Sequence, residues 1–232
     1  MKFYIDDKEL GHIRVHVLSR ARNLSFRMRD GVMHVTVPSG TPEAELRRGI
    51  DKLRPRLRKM QEVRQPRLID QDFTIDAHYF RLHMTQSTGE RFKAHSELGE
   101  LTISYPTGAN FADADLQTWL RKVITEALRR NAQIILPPRL YQLSMEHNLP
   151  YKAVKINSST GRWGSCSSKD NINLSLYLML LPKHLIDYVL LHELAHIRVK
   201  NHGEAFHRLL NELTEGKSDA LSRGLKEYKT SF

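Results

Sequence analysis

The chain has 232 residues, of which 40% are hydrophobic and 27% are charged. These proportions are ordinary for a soluble globular protein and argue against a disordered, collagen-like or disulfide-rich chain. The single cysteine, Cys166, cannot form an internal disulfide, which is compatible with a reducing compartment. The formal net charge is +10, and the excess of lysine and arginine lies towards the two ends of the chain.

Neither a secretion signal nor a membrane span is evident. Residues 1–7 alternate bulky and charged side chains, which is not the pattern of a signal peptide. The most apolar stretch, residues 174–191, is broken between Pro182 and Asp187 by a proline, a lysine, a histidine and an aspartate. We therefore expect a cytoplasmic protein that makes no membrane contact.

The first third of the chain has the pattern of a sheet. Residues 13–17, 24–28 and 32–37 alternate apolar and polar side chains, which predicts a three-strand meander with one buried face. Asp30-Gly31 lies between the last two segments and is typical of a tight hairpin turn.

A basic helix is predicted to follow these strands. Thr41-Pro42 and the two glutamates after it are typical of a helix start. The next turns, up to Lys59, carry seven lysines and arginines, and Pro55 should kink the helix or end its first half. The charges either form an ordinary solvated face or contact phosphate or another anionic partner.

Strand-like alternation returns in residues 72–106, and helical spacing of apolar residues comes after it. Asp113 or Asp115 can cap this helix. Pro137-Pro138 should interrupt it, so that a second helix runs to about His147. No internal repeat is evident along the chain.

The last third carries the chemistry on a helix that should begin at Pro182 and end near Arg198. His192, Glu193 and His196 form an H-E-x-x-H element within it. Residues four apart lie on one helix face, one turn apart, so both imidazoles can bind a single zinc ion. Glu193 is rotated by about 100° from His192 and can accept a proton from bound water.

A catalytic zinc ion keeps three protein ligands and one open position, so a third ligand is needed. His202 is the first choice, because residues 201–203 have helix-ending and turn chemistry that can fold an imidazole back towards the helix. Glu215, His207 and Glu204 remain alternatives.

Upstream of the helix, residues 162–168 are small and polar around one tryptophan. They lack the second glycine of a G-x-S-x-G elbow, which argues against a serine nucleophile. Cys166 could be a thiol nucleophile, an auxiliary zinc ligand or simply a buried thiol. Tyr188 and Arg162 are candidates for stabilising an oxyanion.

Together these motifs resemble the YgjP-like metallopeptidase family, which is similar to SprT-like zinc proteases. The resemblance is dense over about residues 154–210 and looser over the N-terminal strands. It is carried by residues 162–167, 171–174, 181–182, 187–189, 192–196, 201–203 and Phe206, and upstream by 20–25, 30–31 and 37–38.

The resemblance implies an α+β fold with an N-terminal antiparallel β-rich region, a helical segment and a zincin-like, minigluzincin catalytic core. It implies that His192, His196 and His202 bind one Zn²⁺ per chain and that Glu193 is the catalytic acid/base. It also implies that residues 171–176 form the edge strand along which an extended substrate lies.

We therefore divide the chain into a β-rich region with one basic helix, residues 1–106, and a helical and zincin-like metallopeptidase region, residues 107–232. The predicted function is a zinc-dependent metallohydrolase, a metalloendopeptidase that cleaves peptide or protein substrates with zinc-bound water activated by Glu193. The basic N-terminal helix is available to nucleic acid or an anionic substrate. The alternatives are a zinc-dependent nucleoside triphosphate pyrophosphohydrolase, a DNA-associated SprT-like protease and a binding module with structural zinc.

Overall fold

The computed structural model describes residues 2–29, 32–62, 67–230 and 232, which form a mixed α+β structure. The chain divides into two compact units, Met1–Arg67 and Leu68–Phe232. The predicted change of character after residue 106 lies inside the second unit, where strands give way to a long helix.

The first unit is a four-stranded sheet followed by one helix. Its elements are β1 (Lys2–Asp7), β2 (Gly11–Leu18), β3 (Ser25–Arg29), β4 (Val32–Pro38) and α1 (Glu43–Glu62). The strand order is β1-β2-β4-β3, in which the outer pairs are antiparallel and the central pair β2 and β4 is parallel. The prediction of an antiparallel meander is therefore wrong, because alternation identifies strands but not their partners. The predicted turn at Asp30-Gly31 lies outside the described residues.

The core of the first unit lies between its sheet and α1. Ile13, Val15 and Val35 are fully buried on the sheet, and Leu46 and Leu57 are buried on the helix. The helix continues past its internal proline instead of ending there. Leu57 lies beyond that proline and is still packed into the core, so side-chain burial holds the last turns of α1 in place.

The second unit opens with a sheet of the same topology. Its strands are β5 (Ile75–Ala77), β6 (Phe80–Ser87), β7 (Lys93–Glu97) and β8 (Glu100–Pro106). The order is β5-β6-β8-β7, again with antiparallel outer pairs and a parallel central pair. The chain thus repeats a topology that its sequence does not reveal as a repeat.

The same turn ends the last strand of both sheets. Residues 38–41 and 106–109 each form a four-residue turn in which the fourth N–H donates to the proline carbonyl oxygen, at 3.4 and 3.3 Å. Gly40 and Gly108 occupy the third position with φ of 83° and 75°. Glycine is favoured there because a side chain strains this conformation.

Helix α2 (Ala114–Glu146) comes after the second sheet. Asp113 caps it, with its carboxylate accepting a 2.7 Å hydrogen bond from a first-turn N–H. The helix continues through Pro137-Pro138, so the predicted interruption is wrong. Leu136 and Leu140 are fully buried on either side of the prolines, and their packing offsets the proline penalty of about 3 kcal/mol.

A third sheet and three helices complete the second unit. Its elements are β9 (Ala153–Asn157), β10 (Gly164–Cys166), β11 (Asn171–Ser175), a 3₁₀ helix (Leu176–Leu180), α3 (Lys183–Arg198), α4 (Glu204–Leu213) and α5 (Ser218–Leu225). The order is β10-β11-β9, so the strand expected at the edge, residues 171–176, is central and the edge next to α3 belongs to β10. Within the described ranges, no helix has the length and apolar character needed to cross a membrane.

Candidate metal centre

The candidate centre is built on α3, whose rotation is fixed by packing. Leu190, Leu194 and Ala195 are fully buried in the core of the second unit. That packing leaves His192 and His196 on one face at the end of the helix nearest the next turn. The helix closes with the Val199 N–H donating to the Ala195 carbonyl oxygen at 2.9 Å.

Three imidazoles converge at this end of α3. The Nε2 atom of His202 lies 3.1 Å from Nε2 of His192 and 3.2 Å from Nε2 of His196. Ligand atoms of a tetrahedral zinc ion, each about 2.0–2.1 Å from the metal, stand about 3.3 Å apart. Within the part of the chain that the structure describes, this is the one group of three or more potential ligands close enough for a single ion.

The surroundings of His192 and His196 favour neutral imidazoles with free lone pairs. Burial lowers the pKa of His192 to about 4, helped by the neighbouring histidines. Burial also lowers the pKa of His196. The Nδ1–H of His196 donates to the Val199 carbonyl oxygen at 3.1 Å, which fixes the tautomer that leaves Nε2 as an acceptor. The donor set therefore fits a metal ion such as zinc.

Phe206, which is fully buried on α4, touches all three imidazoles. Its ring stacks on His196 with centroids 4.5 Å apart. It meets His192 and His202 edge-on at 4.9 and 4.7 Å. One aromatic side chain thus supports the three rings from the same side.

Glu193 is buried beside β10, with 4% of its surface exposed. A methyl group on Gly164 would lie 2.6 Å from its Oε1 atom, so only glycine leaves room for this carboxyl group. The other oxygen, Oε2, is buried and has no hydrogen-bond partner among the described residues. Burial raises the pKa of Glu193 to about 7, although the charge of Arg162 opposes the shift.

The centre opens to solvent on one side. His196 is 8% exposed and His192 is half-buried, whereas His202 is exposed at the start of the next helix. A substrate therefore has access past His202, while the α3 side of the centre is closed by the core.

The alternative third ligands lie elsewhere. Glu204 pairs with Arg208 at 2.8 Å, and Glu215 pairs with Lys217 at 2.9 Å. His207 lies near Phe206 but outside the convergent group. The structure thus brings His202 to the H-E-x-x-H pair and leaves these three side chains apart.

Three further candidates, Cys166, Tyr188 and Arg162, lie outside the group of three imidazoles. Cys166 is half-buried on β10, and burial raises the pKa of its thiol, which disfavours a thiolate nucleophile. Tyr188 is buried against His192, with ring centroids 6.3 Å apart. Arg162 is exposed and close enough to affect the pKa of Glu193.

Two ion pairs hold α3 in position. Arg139 of α2 makes a bidentate pair with Asp187 of α3, with both N–O distances at 2.8 Å. Beyond the other end of the helix, Lys200 binds Asp170 at 2.5 Å and the Ser167 carbonyl oxygen at 3.3 Å. These contacts tie the helix to α2 and to the β10–β11 turn.

Sequence reasoning did not assign a role to two residues of the centre. The sequence singles out Phe206 only through the family resemblance, and Gly164 only as one of the small residues of the segment 162–168. The signals were present, since an aromatic residue lies four positions after His202 and a glycine sits in a polar segment. Neither signal identifies its partner without the fold.

One solved structure and one family model are similar to this chain. The crystal structure of the metallopeptidase zymogen of Methanocaldococcus jannaschii jannalysin is similar at 21% identity, with a TM-score of 0.35, covering 39% of this chain and 92% of that chain. The comparison with curated proteins gave no match. The model of the family described as YgjP-like, metallopeptidase domain, matches residues 22–228, which include both compact units for most of their length and the whole candidate centre. The chain belongs to the YgjP-like metallopeptidase family.

Proposed function

We propose that this protein is a zinc-dependent endopeptidase with a minigluzincin-type centre in which His192, His196 and His202 hold the metal and Glu193 transfers protons. The observation that carries the proposal is the convergence of three imidazole nitrogens at 3.1 and 3.2 Å. Membership of a metallopeptidase family supports it, because such a family implies a catalytic metal.

The metal fits this donor set, since three neutral nitrogen ligands and an open side are typical of catalytic zinc sites. When bound, zinc supplies a Lewis acid that polarises the substrate carbonyl and makes a nearby water easier to deprotonate. His202 would complete the ligand set on the exposed side. Phe206 keeps the three rings in their mutual orientation.

Glu193 is suited to proton transfer. Burial raises the pKa of its carboxyl group above the ordinary value, which favours a group that both accepts and returns a proton. Its buried oxygen, Oε2, accepts no hydrogen bond from any described residue, so its lone pairs are uncommitted. Glu193 takes the proton of that water and gives it to the departing amine.

The edge of β10 can hold the substrate. On the side facing β11, the Trp163 carbonyl oxygen accepts a hydrogen bond from the Ser175 N–H at 2.8 Å. The Ser167 N–H donates to the Asn171 carbonyl oxygen at 2.9 Å. Because backbone groups alternate along an antiparallel strand, those of Gly164 and Cys166 face the open edge. An extended peptide paired there would pass over Glu193, which lies against Gly164.

The test measures metal content and hydrolysis on the purified full chain. We expect about one zinc per chain and cleavage of casein-like peptides, with nucleoside triphosphates assayed alongside. Glu193→Gln should keep the zinc and lower kcat by about 10²–10⁴-fold, the usual contribution of a general acid/base. Glu212→Gln is the matched control, because that glutamate is exposed on α4.

Three results would contradict the proposal. A zinc-loaded Glu193→Gln variant with wild-type kcat would remove the proton-transfer role. A His202→Ala variant that keeps its zinc would move the third ligand to another residue. Cleavage of nucleotides without cleavage of peptides would redirect the activity to phosphoanhydrides.

A further inference from the structure

The positive charge of the protein is concentrated in the first unit. Residues 1–67 contain 16 lysines and arginines against 8 acidic residues, whereas residues 68–232 contain 20 against 18. The first unit therefore carries +8 of the formal +10, in less than a third of the chain. Such an imbalance gives one unit a strong field that attracts anions.

Some cations of α1 are neutralised by neighbouring acids. Arg47 pairs with Glu43 at 2.7 Å on the helix itself. Arg54 makes a bidentate pair with Asp7, at 2.8 and 3.0 Å, and also binds Asp51. Arg58 likewise pairs with a glutamate of the β1–β2 turn at 3.3 Å. These arginines belong to the internal ion pairs of the unit.

Four other cations of α1 form an unpaired stripe. Arg48, Lys52, Arg56 and Lys59 are exposed and make no hydrogen bond or ion pair to any described residue. At 100° per residue they lie within an arc of about 80°, and they extend along about 16 Å of helix. Glu45 is the acid that shares this side, at its first turn.

A neighbouring loop packs beside the stripe. The Leu24 side chain packs directly over Gly49, where a methyl group would lie 2.5 Å from Leu24 Cδ1. Gly49 borders the stripe on the helix surface. The loop that ends at Leu24 carries two more exposed arginines, Arg20 and Arg22, which have no partner among the described residues.

We propose that the first unit binds the phosphate backbone of nucleic acid through Arg48, Lys52, Arg56 and Lys59. Cations spaced by three and four residues stand about 4.5–6 Å apart along the helix axis, a regular row suited to a polymer with regularly spaced charges. Lysine and arginine side chains in such a row neutralise phosphates without reading the sequence of the bases, so contact is to the backbone.

The apolar side of α1 argues against a lipid surface. Membrane-surface helices insert an apolar face into the bilayer. In α1 that face is already used, because Leu46, Ile50 and Leu57 are buried against the sheet with at most 2% exposed. Charge is therefore what α1 presents to a partner, and a polyphosphate backbone carries a regular row of opposite charges that matches it.

The experiment measures binding of the full chain to a labelled duplex DNA of about 20 base pairs and a single-stranded RNA of about 20 nucleotides, between about 50 and 200 mM salt. Four phosphate contacts on the duplex give a salt slope of about 3.6, or about a hundredfold loss of affinity over this range. In the variant R48Q/K52Q/R56Q/K59Q, the slope of log affinity against log salt concentration should fall by about 3.6, and binding should be weak at every salt concentration. The two probes distinguish DNA from RNA as the source of the phosphates.

The matched control is R91Q/K93Q/K152Q/K155Q, which removes one arginine and three lysines from exposed positions of the second unit. Both variants carry the same net charge, so the position of the removed cations is what separates them. The double variant R56Q/K59Q should show about half of the slope change, which keeps the proposal testable if the fourfold variant does not fold. An unchanged circular dichroism spectrum would show that the fourfold variant is folded.

Three outcomes would overturn the proposal. Equal weakening in both fourfold variants would show attraction by net charge without a site. If the wild-type protein binds neither the DNA nor the RNA at the lowest salt concentration, the stripe is not a nucleic-acid surface. Binding to phosphatidylserine vesicles in place of both probes would assign the stripe to lipid. None of these readouts depends on peptide hydrolysis.

Discussion

The chain builds one sheet topology twice and uses the two copies differently. In both copies, two hairpins join through a parallel central pair, and the last strand ends in the same proline and glycine turn. The first copy is followed by the 20-residue helix α1, which is the last element of the first unit. The second is followed by the 33-residue helix α2 and then by the third sheet and the helices that carry the candidate metal centre.

The copies also differ in how they use charge. The first unit is strongly basic, and part of its stability comes from ion pairs such as Arg54 with Asp7. The second unit is nearly balanced, and its three histidines lie against an apolar core. The topology therefore does not determine the chemistry, which depends on the residues that each copy presents and on the elements attached after its last strand.

The largest effect is expected from removing the aromatic support of the centre. Phe206→Ala should lower the free energy of unfolding of the second unit by about 3–5 kcal/mol, since it empties a fully buried site. It should also weaken zinc retention, because the three imidazoles lose their common contact. Urea unfolding followed by tryptophan fluorescence measures the change, since Trp119 and Trp163 both lie in the second unit.

Leu57→Ala is the corresponding change in the first unit. It should cost about 2–5 kcal/mol there, because Leu57 is 1% exposed. The tryptophan transition and the zinc content should stay the same, while far-UV circular dichroism records the loss. A tryptophan transition that shifts equally in both variants would show that the two units unfold as one.

The next effect tests the close approach between β10 and Glu193. Gly164→Ala should lower kcat/KM by about a hundredfold or more, because a methyl group displaces the carboxyl group from its place. Zinc content should stay near one per chain, since the imidazoles are untouched. Hydrolysis and metal analysis of the same preparation check both parts.

Gly40→Ala provides the comparison in the first unit. Its φ of 83° makes a side chain unfavourable by about 1–2 kcal/mol, with no effect on hydrolysis. If Gly164→Ala keeps full activity, Glu193 does not need its present position for catalysis.

The smallest effect is a pH dependence confined to the first unit. The hydrogen bonds from Arg54 hold the pKa of Asp7 well below its usual range, so this carboxylate stabilises the folded unit above its unfolded pKa of about 3.9. That stability is lost as the pH falls below this value towards the folded pKa. Asp7→Asn should lower the free energy of unfolding of the first unit at neutral pH. It should also make that free energy depend less on pH in the acid range.

An exposed carboxylate in the second unit is the control for this titration. Asp76 pairs with Arg81 at 3.5 Å, but its side chain is 86% exposed, so Asp76→Asn should change neither profile. Acid titration by circular dichroism and by tryptophan fluorescence separates the two units. An unchanged acid profile in Asp7→Asn would show that this ion pair does not stabilise the fold.

Local patterns in the sequence predicted the parts that depend on neighbouring residues. The bounds of α3, the Asp113 cap and most strands arise from spacing and capping chemistry over a few positions. The grouping of His192 with His196 has the same origin, because one helical turn places them together.

The remaining features depend on residues distant in the chain. The parallel pairing of β2 with β4 and the central position of β11 are choices of partner that alternation does not determine. Continuation of α2 through Pro137-Pro138 depends on buried leucines that pack against other elements. Strand β10 is three residues long and rich in small side chains, so it has little strand character of its own.

The parallel central pairs also bear on how the chain finds its fold. Ile13 pairs with Met33, and Leu82 pairs with Leu101, so the two central ladders close loops of nearly equal length, about 20 residues. The length-dependent part of closing such a loop is about 2.7 kcal/mol of chain entropy. Each sheet therefore draws its contacts from a short window of sequence, which is the condition for rapid, independent assembly. The two sheets would then form before the later helices bring the three candidate metal ligands together.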